Sequence, residues 1–148
     1  MYVLIVGRGP LISELKKLAT ELGVEENIVF INNAIHSEMP KWFNGMDVQV
    51  LPSITMPNWR EQFGRVLIEA AACGVPSIGS SSGEIPIVLD SLGMENVFEE
   101  GNINQLGNEI IRLAQKTRNS SDIREFSIDK YGNKGIAAKL VSAFEKVM

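Results

Sequence analysis

The 148-residue chain has one cysteine, one histidine and no long apolar run. A lone Cys73 excludes an internal disulfide and a zinc site built from cysteines. No stretch approaches the roughly 20 apolar residues of a bilayer-spanning helix. The opening run Tyr2-Val3-Leu4-Ile5-Val6 is too short for a secretory leader and has no basic residue before it, so a reducing, cytoplasmic setting is expected. Basic residues are not in excess: 14 Lys and Arg against 18 Asp and Glu give a net charge of −4, which argues against a nucleic-acid partner. Repeats and Gly/Ser/Pro-rich linkers are lacking too. What is present is ordinary folded composition, 45% apolar and 22% charged, at a length suited to one domain with a real core.

The apolar period changes repeatedly along the chain. Val3–Val6, Ile28–Ile31, Val48–Leu51, Val75–Gly79 and Asn96–Phe98 are short runs with strand character, the first two wholly apolar and expected to be buried on both faces. Between them Leu11, Ile12, Leu15, Leu18, Ala19 and Leu22 fall at helical spacing before Gly23. Ser37 is placed to cap a short helix through Met39, Trp42, Phe43 and Met46. A buried helix from Phe63 ends at Gly74, and a short one covers Ile85 to Leu89. Two or three helices close the chain, one through Ile103, Leu106, Ile110, Leu113 and Ala114 and another through Ile136, Ala137, Leu140, Val141, Phe144 and Val147. Strand–helix alternation without hairpin signals predicts parallel strands joined by right-handed crossovers, an α/β three-layer sandwich in one domain. Ligands then bind at loops leaving the carboxyl ends of strands. Three loops qualify: Gly7–Pro10, Asn32–Ser37 and the long connection Pro52–Gly64.

The densest chemistry lies in Glu61-Gln62-Phe63-Gly64-Arg65-Val66-Leu67-Ile68-Glu69. A long loop enters a helix whose first turn has a glycine and no acid. The first amides of a helix are unpaired and lie at the positive end of its dipole, which suits a phosphate. Glu69, five residues beyond Gly64, lies about 7–8 Å along the axis, a depth that fits the ribose of a nucleotide whose diphosphate sits at the tip. Glu61 faces the far end of that diphosphate. The spacing describes a nucleotide-sugar site.

Glu61, seven residues and Glu69, within EQFGRVLIEAAACGVPSIGSSSGEIP, resemble the E-x7-E signature of retaining glycosyltransferases of family 4. The resemblance runs upstream through DVQVLPS, VFINNAIHSEM and VLIVGRGP, and covers nearly the whole chain. It implies a Rossmann-like fold, the C-terminal half of a two-domain B-type glycosyltransferase. Residues 1–148 would then be the nucleotide-sugar-binding domain, lacking its first strand–helix unit and the acceptor-binding N-terminal domain. By that resemblance Glu61 meets the donor sugar in the catalytic role and Glu69 the ribose. Amides around Phe63, Gly64, Arg65 and Val66 meet the sugar and diphosphate, Ile35 meets the base and Gly7 lines the cleft. The donor is a UDP-, GDP- or ADP-sugar and the acceptor a glycan, lipid or other hydroxyl compound, with no metal and no separate cofactor. No transmembrane segment is implied, and peripheral membrane association is left open for a full enzyme.

Gln62 stands where many members have glycine. The family's arginine and lysine on the diphosphate have no counterpart, with Arg8 and Arg65 the nearest substitutes. Losing two charge-assisted contacts weakens a donor site by about 3–6 kcal/mol, so the chain alone is expected to be inactive. The alternative is a non-catalytic nucleotide-binding or partner module completed by another chain. Simpler roles stand beside these: Glu69 paired with a surface arginine, Glu61 a solvated charge, Arg65 a solvated first-turn residue, His36 a loop residue and Cys73 a small buried one. Trp59 faces an acceptor sugar or closes the loop. Gly7-Arg8-Gly9-Pro10 lacks the third glycine of a dinucleotide fingerprint, and Asp47 precedes its strand, against a receiver domain.

Overall fold

The structure, a computed structural model, describes residues 1–116 and 119–146. Val147, assigned above to the last apolar stripe, lies outside them. The chain divides into two compact units, residues 1–39 and 40–148.

The first unit holds β1 (Val3–Val6), α1 (Ile12–Glu21) and β2 (Ile28–Ile31). β1 and β2 are parallel, with Val3 opposite Ile28 and Val6 opposite Ile31. Gly23 closes α1: its amide donates to Thr20 O (3.0 Å) and that of Val24 to Ala19 O (2.9 Å), the double bond that satisfies a helix's last carbonyls. The expectation that both strands are buried on both faces fails. Val3 and Val29 are exposed, and Ala19 is the one buried residue of the unit. Two strands and one helix have too little apolar surface to cover each other. Ser37 is also not a cap. Ile35, in extended conformation, opens a 3-10 turn over His36–Glu38, so Ser37 sits inside the turn without a capping bond.

The second unit carries α2 (Met39–Asn44, beginning at the boundary), β3 (Gln49–Leu51), α3 (Arg65–Ala72), β4 (Ser77–Ser80), α4 (Ile85–Ser91) and β5 (Val97–Phe98). Helices α5 (Ile103–Ala114), α6 (Ser120–Tyr131) and α7 (Asn133–Glu145) follow. Its strands are parallel in the order β3-β4-β5. The expected single sheet is thus two sheets, of two and three strands, because among the described residues no strand pairs with the outer edge of β1 or of β3. Strand β4 starts at Ser77 instead of Val75, since Pro76 has no N–H for the ladder; its carbonyl accepts from the Gln49 amide (2.9 Å).

Leu67 and Ala71 of α3 meet Ile85, Val88, Leu89 and Leu92 around α4, with Met94, in one buried cluster. Leu51, Ile68, Ile123 and Tyr131 pack on it. Helix α6 lies on α3 and hydrogen-bonds it, the Ser127 hydroxyl donating to Ile68 O (3.1 Å). This core fixes the start of α3 beside the carboxyl ends of β3 and β4.

Candidate functional site at the start of helix α3

The connection from β3 to α3 is long, yet it is tied down at three points. The Ser80 hydroxyl, at the end of β4, donates to Ser53 O (2.6 Å). Thr55 donates both its amide and its hydroxyl to the Glu100 carboxylate, each at 2.7 Å. A hydroxyl has one proton to give, so the 3.0 Å contact between Thr55 and Ser82 has the Ser82 hydroxyl as donor. The two bonds from Thr55, its amide first, hold the Glu100 carboxyl below its ordinary value. Met56 and Trp59 then bond each other's backbones in both directions (2.7 and 3.2 Å), closing a tight turn at Pro57-Asn58.

The third tie is on Glu61 itself. Its carbonyl accepts from the Glu84 amide (3.1 Å), and Gly83, with φ +53°, lies against it. A Cβ on Gly83 would stand 1.9 Å from Glu61 O, so the turn before α4 can approach the loop only as glycine. Thr55, Ser82, Gly83, Glu84 and Glu100 were not singled out from the sequence as site residues. Ser82-Gly83-Glu84 at a strand-to-helix turn was the available signal, whereas Glu100 is 45 residues from Thr55 and gives none.

At the helix tip Gly64 is left-handed, with φ +69° and ψ 47°. A Cβ there would be 3.1 Å from Leu67 Cδ1 and 3.3 Å from Leu51 Cδ2, so the bend lies tight on the core. The expectation of bare amides holds in part. Glu61 Oε1 accepts from Gly64 N at 3.0 Å and, more weakly, from Phe63 N at 3.4 Å, while Oε2 accepts from the Ser53 hydroxyl (3.4 Å). Glu61 therefore turns back onto the helix start instead of facing outward, as a carboxylate does when it can satisfy orphan donors. Among the described residues, no hydrogen bond is made by the amides of Arg65 and Val66.

Glu69 approaches Arg65 at 3.7 Å, one helical turn back, with the Arg65 side chain 73% exposed. Such a solvent-screened pair adds little. The pairing foreseen as the simpler role for Glu69 is thus present. The exposed Phe63 ring meets Tyr131 edge-on, its centroid 6.2 Å away, which joins the loop to α6.

The second unit therefore gathers Glu61, Phe63, Gly64, Arg65, Val66 and Glu69 at one helix start. Gly7 and Ile35 belong to the first unit, where the Gly7 amide donates to Ile31 O (2.9 Å) and Ile35 is exposed. An open cleft of ≈ 580 Å³ borders the loop, lined by residues 55–62 and Glu84. Glu61 reaches this cleft, and Glu69 is not among its lining residues. Among the described residues, no three His, Cys, Asp or Glu side chains are grouped to hold a metal ion. Nor is any helix there long and apolar enough to cross a membrane.

Parallel strands, helices packed on them and an amide-bearing helix start at their carboxyl ends define a Rossmann-like α/β fold. Residues 1–130 match the family model described as glycosyl transferases group 1, and the chain belongs to that family. It is 39% identical over 89 residues to the GDP-mannose-dependent alpha-(1-6)-phosphatidylinositol monomannoside mannosyltransferase of Mycolicibacterium smegmatis, a span of 58% of this chain and 23% of that protein. With the N-acetyl-alpha-D-glucosaminyl L-malate synthase of Bacillus anthracis the identity is 27% over 145 residues, or 98% of this chain and 36% of the relative. Among solved structures, the apo lipopolysaccharide outer core galactosyltransferase WaaB superposes with a TM-score of 0.77 at 17% identity, covering 99% of this chain and 41% of that one. HepE of Anabaena, solved in complex with UDP, gives 0.75 at 24% identity, with 96% and 41% covered. The chain thus spans from 23% to 41% of the length of these proteins.

Proposed function

We propose that this chain is the donor-binding part of a retaining glycosyltransferase, taking a nucleoside-diphosphate sugar for transfer to a glycan, lipid or other hydroxyl acceptor. The observation that carries it is the start of α3: two amides that make no hydrogen bond among the described residues, a left-handed glycine before them, and the E-x7-E acids on either side. In this reading the Arg65 and Val66 amides meet the diphosphate, and Glu69 leaves its weak pair with Arg65 for the ribose. Glu61 leaves its bonds to Ser53 and the Gly64 amide to present its carboxylate to the sugar. A UDP complex of one structural neighbour is consistent with a nucleotide ligand.

The strand orders support the domain reading. A doubly wound sheet runs 3-2-1-4-5-6, and without its first strand this leaves a parallel pair and a parallel triple. Those are the two sheets seen here, with β1 and β3 each unpaired on the side where the first strand of that order would lie. We read the chain as a domain lacking its first strand–helix unit and working with a separate acceptor domain, and we place the whole enzyme in the cytoplasm. Without the family's basic pair the chain alone binds donor weakly and is inactive.

The test is kinetic, in an enzyme completed by an acceptor domain. Glu69→Gln raises the donor KM, while Glu61→Gln chiefly lowers kcat. Unchanged donor kinetics in both variants would remove the motif's meaning. A second reading, a non-catalytic module docking on another chain, is favoured by the exposed Leu140, Val141 and Phe144 of α7. Light scattering decides it: a monomer at every concentration counts against that reading.

A further inference from the structure

Phe63, the residue before the left-handed Gly64, is exposed and yet has a fixed neighbour. Its ring meets that of Tyr131 edge-on, with the ring planes at 78°. In this arrangement the positive edge of one ring faces the negative face of the other, so the contact is directional as well as apolar. Tyr131 is the last residue of α6 and packs, half-buried, on the core cluster of α3 and α4.

Tyr131 is itself braced. The Ser91 hydroxyl, at the end of α4, donates to Val88 O (2.7 Å), so the phenol is the donor in its bond to Ser91. Lys130 Nζ donates to Ser91 O (2.8 Å), a second tie between the ends of α6 and α4. One turn earlier Ser127 holds α6 to α3 through Ile68 O. The Tyr131 ring thus stands on two core helices and touches the loop at Phe63. Without a sugar, Glu61 Oε1 accepts from the Phe63 and Gly64 amides. When Glu61 turns to a sugar those bonds open, just when a ligand needs the two amides in place. The aromatic contact involves no atom of Glu61 and survives the turn.

We propose that Tyr131 is a positioning residue for the start of α3: its ring holds Phe63, and so keeps the Phe63 and Gly64 amides aimed once Glu61 has released them. The inference rests on the nucleotide-sugar reading for the identity of the ligand.

Two NMR measurements on the 148-residue chain test it. The first needs no ligand, because Glu61→Ala removes the carboxylate bonds outright. In Glu61→Ala the Phe63 and Gly64 amides are expected to keep order parameters near ~0.85, and to fall below ~0.6 when Tyr131→Leu is added. Tyr131→Phe, which keeps the ring, restores them. If Tyr131→Leu does not fold, Tyr131→Met, of similar bulk and without a ring, takes its place with the same expectation. Unchanged amides in the double variant overturn the inference. The second measurement is titration with UDP, GDP and ADP and with UDP-glucose, GDP-mannose and ADP-glucose. Tyr131→Leu is expected to weaken the nucleotide sugar about fivefold and the bare diphosphate less than about twofold, since the sugar is what draws Glu61 away. No loss, or a loss equal for both ligands as a general loosening would give, overturns the positioning role and leaves the nucleotide reading standing. If the parent chain binds no nucleotide while the amides loosen as expected, the positioning role stands and the nucleotide reading falls.

Discussion

Glu61 and Glu69 are alike in sequence and differ in surroundings. Glu61 is held by a hydroxyl and two amides at a helix start, whereas Glu69 meets a screened arginine one turn away. The pairing of these two acids with a glycine between them was legible in the chain, because local spacing along a helix needs no knowledge of the rest. The inward turn of Glu61 was not, since it depends on Ser53 and on the clasp from Gly83 and Glu84. Glu100 depends on a contact still more distant in sequence, and its role leads to a pH prediction. Bonds from Thr55 lower its folded pKa below the ordinary 4.5. A depressed carboxylate contributes stability that is present above its unfolded value and lost as pH falls through the folded one. The Trp59 turn therefore loosens in acid, below pH 4.5. The emission of Trp59 is expected to change in that range, and Glu100→Gln to remove this part of the titration. Identical acid titrations in both proteins would contradict the tie.

At the scale of elements, β1, β2 and α1 could be read from apolar runs and from Gly23, because each is coded by its own residues. Helix α6 fits the third closing helix that the sequence leaves open, but no apolar pattern gives it residues. Its buried position is a serine, Ser127, while Phe126 and Ile128 are exposed, so it shows no apolar stripe. Its place comes from packing on α3 through Ser127, Ile123 and Tyr131. The turn before α4 likewise gains its meaning from what it touches. Gly83→Ala drives a methyl into the Glu61 carbonyl, and is expected to cost about 1–3 kcal/mol in urea unfolding. Gly107, inside α5 with open space around it, gives the opposite sign: Gly107→Ala stabilises by about 0.5–1 kcal/mol. Equal effects of the two substitutions would show that the clasp on Glu61 is not needed for the fold.

For the whole molecule, the alternation of strands and helices gave the class, but not its division. A parallel pair and a parallel triple follow from which edges find a partner, and pairing is a long-range property that short apolar runs do not encode. The division has a measurable consequence. Residues 1–39 contain one buried side chain, against a continuous buried cluster in residues 40–148. Hydrogen exchange is expected to show weaker amide protection in β1 and β2 than in β3 and β4. Equal protection would mean that the first unit draws stability from something other than its own burial.

The central claim concerns the start of α3, and amide-resolved NMR titration of the chain with UDP, GDP and ADP reaches it directly. At millimolar nucleotide, the amide signals of Gly64, Arg65 and Val66 are expected to move together with the binding curve of at least one nucleotide. Saturable shifts elsewhere with those three signals unmoved, or no shift with any of the three nucleotides, would contradict the account.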